Sequence, residues 1–317
     1  MIKNLKYNKL YFLLYYLLPI TFIAGAAIVE SLFITLTIIL LFLYKGKVFS
    51  NENKKFIFFF LIFYFYLNFN SFFSENIFIS FKSSAPYFRF LLVFLFISYF
   101  MEKNLNILNK NLNILIIIVS ILFLDSSIQY IFGKNILGFP IVDFGNYRIS
   151  SFFGSELILG GYIARILPII LSLIFLSRDL KNKKNVDIKL SIICFLSISI
   201  AIYSGERIAV FHTVLISFFT IFFLNDKNLA KKIFIITFFI SSFFIFVTDN
   251  KIKTRLVVVT IQSFQEVDKY ANFNSNIVLF SQSHHSHIIS GYKMFLDSPF
   301  IGHGLKSFRS LCNDERY

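Results

Sequence analysis

The sequence predicts an all-α, polytopic transmembrane helix bundle, and three observations carry that expectation. Hydrophobic residues fill 56% of the 317 positions, 46 of them Phe, while charged residues are held to 15%. The mean hydropathy is +0.71. Apolar runs approaching the ~20 residues that cross a bilayer recur along most of the chain, too many for one water-soluble core. The richness in Phe, Ile, Asn and Lys is also what a nucleotide bias in a gene produces, so individual Phe positions carry little weight.

Taken in order between charge clusters, the apolar runs give about nine spans: residues 10–27, 31–44, 56–73, 85–100, 112–131, 157–176, 190–203, 208–224 and 233–247. The second, seventh and ninth are short for helices perpendicular to the membrane. Little more than Glu30 separates the first two, which predicts a tight hairpin there. The basic start, apolar stretch and small residues Ala24 to Ala27 imitate a secretory signal, but the run is long and more spans follow at once, so an uncleaved signal anchor is expected.

Lysine and arginine then predict orientation. Alternate connections hold 17 of them, at positions 3, 6, 9, 45, 47, 54, 55, 103, 110, 178, 181, 183, 184, 189, 227, 231 and 232; the intervening connections hold 4, Lys82, Lys134, Arg148 and Arg207. The positive-inside bias places the amino terminus in the cytoplasm and puts the Arg148 loop, the Arg207 turn and everything after Val247 outside. Residues 1–247 are thus expected to form the transmembrane bundle, and 248–317 the start of a large extracytoplasmic loop. The net charge of +14 is explained by topogenic lysines and contact with anionic lipid. No basic face interleaved with stacking aromatics calls for a nucleic acid.

Cys194 within a span and Cys312 outside support no disulfide framework and are expected at different levels. Buried arginine is costly in a bilayer and needs a partner, a wet cavity or an escape to the interface. Arg89 and Arg165 sit a few residues inside their spans, where snorkelling or a helix-packing hydrogen bond accounts for them. Arg148 immediately precedes a helix entrance, Ser150-Ser151-Phe152-Phe153-Gly154-Ser155-Glu156. A plausible cap at Ser155 and free amides at a helix start favour an anion, and a planar guanidinium beside them suits a diphosphate. The alternative is an interfacial arginine that holds a loop, paired with Glu156 or Asp143. Gly160 and Gly161 are expected to be packing contacts. The turn Ser204-Gly205-Glu206-Arg207 reaches the same outer surface, so Arg207 and Arg148 have the option of facing one cavity; equally, Glu206 and Arg207 would neutralise each other. Asp125, Gln129 and His212 are expected to be satisfied interhelical hydrogen-bonding groups rather than catalysts.

After Val247, Ile288, Tyr292, Phe295 and Leu296 recur at helical spacing ahead of Pro299, an amphipathic helix able to lie along the bilayer surface. His284, His285 and His287 have no Cys, Asp or Glu at ligand spacing beside them, so a solvated cap is expected rather than zinc. Neither metal nor cofactor is predicted.

The segments LDSSIQYIFGKNILG, YRISSFFGSELILGGYIARILP, YSGERIAVF and HIISGYKMFLDSPFIGHGLKSFRSLC together resemble, in order, the signatures of the O-antigen ligase and polymerase family, over roughly Leu124 to Cys312. That resemblance implies a GT-C-like glycosyltransferase of the bacterial inner membrane that takes glycan from an undecaprenyl-pyrophosphate donor without a nucleotide sugar and passes it to a lipid A-core or glycan acceptor in surface polysaccharide synthesis. Arg148 matches the arginine ahead of the family's FGSE-like stretch and Arg207 that of its SGER-like turn, both implied to hold the donor diphosphate. Glu156 and Arg165 match other recurrent positions and join the expected substrate-binding set. The family's external loop continues past the cysteine to an HPHN-like segment that supplies the catalytic base. This chain stops at Tyr317, and none of His284, His285, His287 or His303 matches that histidine. The resemblance therefore implies an incomplete form with no catalytic residue of its own. Cys312 resembles a cysteine that pairs with a later one in the family. Two other readings stand beside this one, a transporter or flippase of lipid-linked glycan and a noncatalytic membrane fragment.

Overall fold

The computed structural model describes residues 20–21, 23, 25–44, 53–103, 106–143, 147–176, 183–223, 236, 254–258, 261, 282–312, 314 and 316. It is mostly helical. The expected first span falls largely outside the described residues, as do the ninth, at 233–247, and the boundary at 247/248. Three helical stretches are long and apolar enough to cross a membrane, Ile77–Leu95, Lys110–Phe132 and Leu159–Leu176, and two shorter apolar helices, Ile188–Ser204 and Arg207–Phe222, accompany them. These mark the chain as a membrane protein. The described residues divide into two compact units.

One unit contains α5 (Asn106–Phe132), α6 (Leu159–Leu176), α7 (Lys183–Ser204) and α8 (Arg207–Phe223). α6 is its centre and packs against the other three. Leu159, Ile163, Leu167, Ile170 and Ile174 lie fully buried along one stripe of it, and its apolar residues run all round, as they must in a helix covered by neighbours and lipid. Small residues allow the close approach: Ala164, Ala201 and Ala209 form a buried cluster joining α6, α7 and α8. Pro168 lies inside α6, where it removes one backbone donor from the helix ladder. Between α5 and α6 runs a loop with a two-residue antiparallel pair, β1 (Val142–Asp143) and β2 (Tyr147–Arg148), followed by a 3-10 turn, Ser151–Phe153.

The other unit contains α1 (Ala26–Tyr44) from Glu30 onward, α2 (Lys54–Ser71), α3 (Ile77–Ser84), α4 (Phe88–Lys103), α9 (Gln282–Asp297) and α10 (Phe308–Leu311). Two expectations need correcting here. Glu30 is not a connection between spans: the break falls at Gly25, whose φ is +119°, and Glu30 is one turn inside α1. There it pairs with Arg89 of α4 at 2.8 Å, which gives that intramembrane arginine an acidic partner in place of snorkelling alone. The fourth apolar stretch also begins earlier than residue 85. Asn76 caps α3 by accepting a hydrogen bond from the Ile79 N–H at 3.0 Å. Pro86 then interrupts the helix only as far as a 3-10 turn, Ala85–Tyr87. Lys82, assigned from sequence to a connection, is therefore a residue of α3.

The α2–α3 corner is lined by buried Asn70, Ser71, Ser74, Ser80 and Ser84. Ser80 donates to the Ser71 hydroxyl at 3.1 Å, which lies 3.0 Å from that of Ser84, and Ser84 donates to Asn68 Oδ1 at 3.0 Å. The segment after α9 docks on this corner. The Leu305 N–H donates to Ser80 Oγ at 2.9 Å, the Tyr66 hydroxyl donates to the carbonyls of Phe300 and Ile301 at 3.2 and 3.3 Å, and Gly304 sits so close to Ser74 that no side chain fits between them. Cys194 is buried, Cys312 exposed, and both thiols are free.

Candidate functional site

The loop that carries Arg148 is sewn to the end of α5 by two residues one turn apart. Asp125, fully buried, accepts from the Ile136 N–H at 2.9 Å, from Asn135 Nδ2 at 3.3 Å and from the Ser151 hydroxyl. Gln129 accepts from the Ser151 N–H at 2.7 Å and donates to the carbonyls of Phe139 and Pro140, each at 3.2 Å. Asn135 closes the knot by donating to the Ser151 carbonyl at 3.0 Å. Ser151 adopts the left-handed φ of +53°, a conformation that a non-glycine residue keeps only where its surroundings over-determine it. Asp125 and Gln129 are thus satisfied, as expected, though by a loop rather than by another helix.

With the loop held, Arg148 meets the α7–α8 turn. Its Nη2 donates to the Leu157 carbonyl at 2.9 Å and lies 3.0 Å from Glu206 Oε1, with both side chains more than four-fifths buried, at 18% and 19% exposure. The expected alternative partner Glu156 is exposed and forms no ion pair among the described residues; the side chain of Asp143 lies outside them. Glu206 uses its second oxygen to accept from the Gly161 N–H at 2.9 Å. That N–H lies in the first turn of α6, among the donors a helix cannot satisfy by itself, so Glu206 caps α6 from the α7–α8 turn while neutralising Arg148. Glu206 is the residue sequence reasoning missed, having been weighed only against its neighbour Arg207. The sequence offers only a carboxylate in a glycine turn between two apolar helices, a signal that does not name its distant partners.

Gly160 and Gly161 divide their work. A Cβ at Gly160 would collide with the Ser204 hydroxyl and come within 2.9 Å of the Ala209 Cβ, so Gly160 is a packing contact, as expected. Replacing it with alanine is predicted to cost about 1–3 kcal/mol, read as a lower unfolding midpoint in detergent, with Gly161→Ala milder. A Cβ at Gly161 would find Glu206 Oε2 at 3.5 Å and Arg165 Nη1 at 4.0 Å, ordinary contact distances. Arg165 is itself exposed. Arg207, half-buried, opens α8 directly after Glu206.

The structure therefore brings Arg148 and Arg165 to the first turn of α6 beside Glu206, places Arg207 one residue beyond Glu206 at the start of α8, and leaves Glu156 exposed. Arg148 Nε and Glu206 Oε1 are buried without a hydrogen-bond partner among the described residues; the 3.0 Å pair is close but not aligned as a hydrogen bond. Of the two, Arg148 Nε is the spare donor at the start of a helix, where the backbone dipole already favours an anion; Glu206 Oε1 can only accept.

No family model matches the chain, and no curated protein or solved structure matches it significantly.

Among the described residues no group of three His, Cys, Asp or Glu is placed to hold a metal. His285 is buried in α9 and His287 exposed, its ring 5.7 Å from that of Phe308. His303 Nε2 lies 3.1 Å from the Met294 carbonyl and 3.5 Å from Asp297 Oδ2, an arrangement that ties the post-helix turn back onto α9.

Proposed function

We propose that this chain is a membrane glycosyltransferase of the O-antigen ligase and polymerase type, GT-C-like with about nine spans, binding an undecaprenyl-pyrophosphate-linked glycan at the arginine cluster ahead of α6. The observation that carries the reading is the Arg148–Glu206 pair, which joins the YRISSFFGSE and SGER stretches at one place. Those are the two segments whose arginines the resemblance assigns to the donor diphosphate. Guanidinium groups beside a helix start are chemically suited to such a group, and Arg207 directly follows Glu206 in the chain.

In this reading the bacterial inner membrane is the location, with the Arg148 loop on the outer side. Docking of residues 300–305 on the α2–α3 corner supports the orientation, because the lysine distribution puts both segments on that side. Arg148 and Arg207 stabilise the negative charge that develops on the leaving diphosphate as the anomeric bond breaks. The acceptor, lipid A-core or a second glycan, loses a hydroxyl proton to a general base. His284, His285, His287 and His303 belong to the other compact unit, and none of the described histidines, His212 of α8 included, is given a part in that step.

The test is binding of undecaprenyl pyrophosphate to the chain in lipid nanodiscs. Arg148→Ala and Arg207→Ala are each expected to weaken it by about 10- to 100-fold, the worth of a charge-assisted hydrogen bond, with undecaprenyl monophosphate affected less. Undiminished binding in both variants would remove the arginines from the site.

A further inference from the structure

The stretch from α9 through residue 301 exposes an apolar face that no described residue of its own unit covers. On α9, Ile288, Tyr292, Phe295 and Leu296 are all exposed, and beyond Pro299 the face continues into Ile301 and Phe300, the latter 89% exposed. Successive 100° steps put the four helix residues on one side and Ser286, Lys293 and Asp297 on the opposite side. The buried Met294 marks a third side, turned toward the protein. The apolar face is thus neither core nor solvent face.

The depth of this stretch is set by its tether. Tyr66 donates to the Phe300 and Ile301 carbonyls from a position five residues before the end of α2 at Ser71. At 1.5 Å per residue the tether lies about 7 Å below the helix end, and a helical tyrosine leans further toward the N-terminus. The surface beside it is mainly apolar: α2 presents Phe58, Phe59, Phe65 and Phe69 outward, and the neighbouring stretch Ile77–Leu95 presents Phe78, Phe81, Phe88 and Phe90, with Lys82 exposed among them. In a membrane protein that surface is covered by lipid, and the face of α9 continues it. Backbone carbonyls that descend into hydrocarbon need an internal donor, and the Tyr66 hydroxyl serves both.

We infer that residues 288–301 enter the outer part of one bilayer leaflet, with Phe300 and the Ile288–Leu296 face in contact with acyl chains and the Lys293–Asp297 side in water. An amphipathic helix seated this way sinks roughly 5–10 Å into the boundary between headgroups and chains. Residues 288–301 are then a membrane-seated strap, held in depth by Tyr66 and in register by the Leu305–Ser80 bond just beyond it.

The chain contains no Trp, so one introduced residue is a sole reporter. Phe300→Trp, Leu296→Trp and Lys293→Trp are made in the full chain and reconstituted in phosphatidylcholine–phosphatidylglycerol nanodiscs, with brominated acyl chains as the probe. The first two are expected to emit at short wavelength and to be quenched by bromines, most by those nearest the headgroup end; Lys293→Trp is expected to emit at long wavelength and to be quenched by aqueous acrylamide. Acrylamide quenching of both apolar-face reporters would overturn the inference. So would short-wavelength emission insensitive to bromolipid, which would identify a second copy of the chain as the cover.

Discussion

Glu206→Ala is expected to lower the stability of the unit that holds α5 to α8 by about 3–5 kcal/mol, the loss typical of removing one partner from a largely buried ion pair. Two effects add. Arg148 keeps its bond to the Leu157 carbonyl but loses its counter-charge, and the first turn of α6 loses the acceptor for Gly161. Glu206→Gln separates them, since its amide oxygen can still cap Gly161 while the charge is gone. Unfolding monitored in mild detergent should rank wild type above Gln above Ala. If Ala and wild type unfold together, the carboxylate is a surface group and the Arg148 loop is held by other means.

The second large effect is expected at Asp125. Its removal strands the buried Ser151 hydroxyl, leaves the part-buried Ile136 N–H without its acceptor, and takes one acceptor from the buried Asn135. Asp125→Ala should cost about 2–4 kcal/mol at unfavourable rates for unmet buried donors. Asp125→Asn should recover about half of that, because one amide oxygen still faces Ile136 and the Ser151 hydroxyl can turn to accept. Proteolysis between residues 133 and 153 in nanodiscs reports the loop directly: Asp125→Ala should be cut fastest and wild type slowest. Equal cutting of all three would show that the knot does not hold the loop. In the proposed function, the loosened loop also weakens undecaprenyl pyrophosphate binding, since Arg148 is the loop's last β residue.

Much of the helical layout was legible from apolar runs alone, because a membrane segment announces itself by length and hydropathy without needing long-range context. The fifth and sixth runs match α5 and α6 closely, and the start of α8 at Arg207 follows directly from the Ser204-Gly205-Glu206-Arg207 turn. What went astray was local chemistry that imitates a boundary. Glu30 looked like a connection because a carboxylate in lipid is costly, yet Arg89, far along the chain, removes that cost. Lys82 looked like a connection for the same reason, and Asn76 and Pro86 together decide where that helix starts and weakens.

The candidate site divides in the same way. Arg148 and Arg207 stand out because arginine near apolar helices demands a reason, and Gly160 because glycine pairs in such helices mark close packing. Glu206 did not, since its two partners, Arg148 and Gly161, lie on segments distant in sequence, and nothing local distinguishes a carboxylate that neutralises its neighbour from one that reaches across to another helix. The knot of Asp125, Gln129, Asn135 and Ser151 was equally hidden: each residue reads as an ordinary polar group until the chain reverses direction and brings them face to face.

The bond between Ser80 and Leu305 joins positions 225 residues apart, and that separation bears on biogenesis. At a ribosomal pace of about 5–20 residues per second, the hydroxyl-lined corner leaves the translocon tens of seconds ahead of the segment destined to cover it. Throughout that interval its hydroxyls can be hydrated only by staying at the water boundary, which would hold the hairpin of α2 and α3 at a fixed height while later helices insert around it.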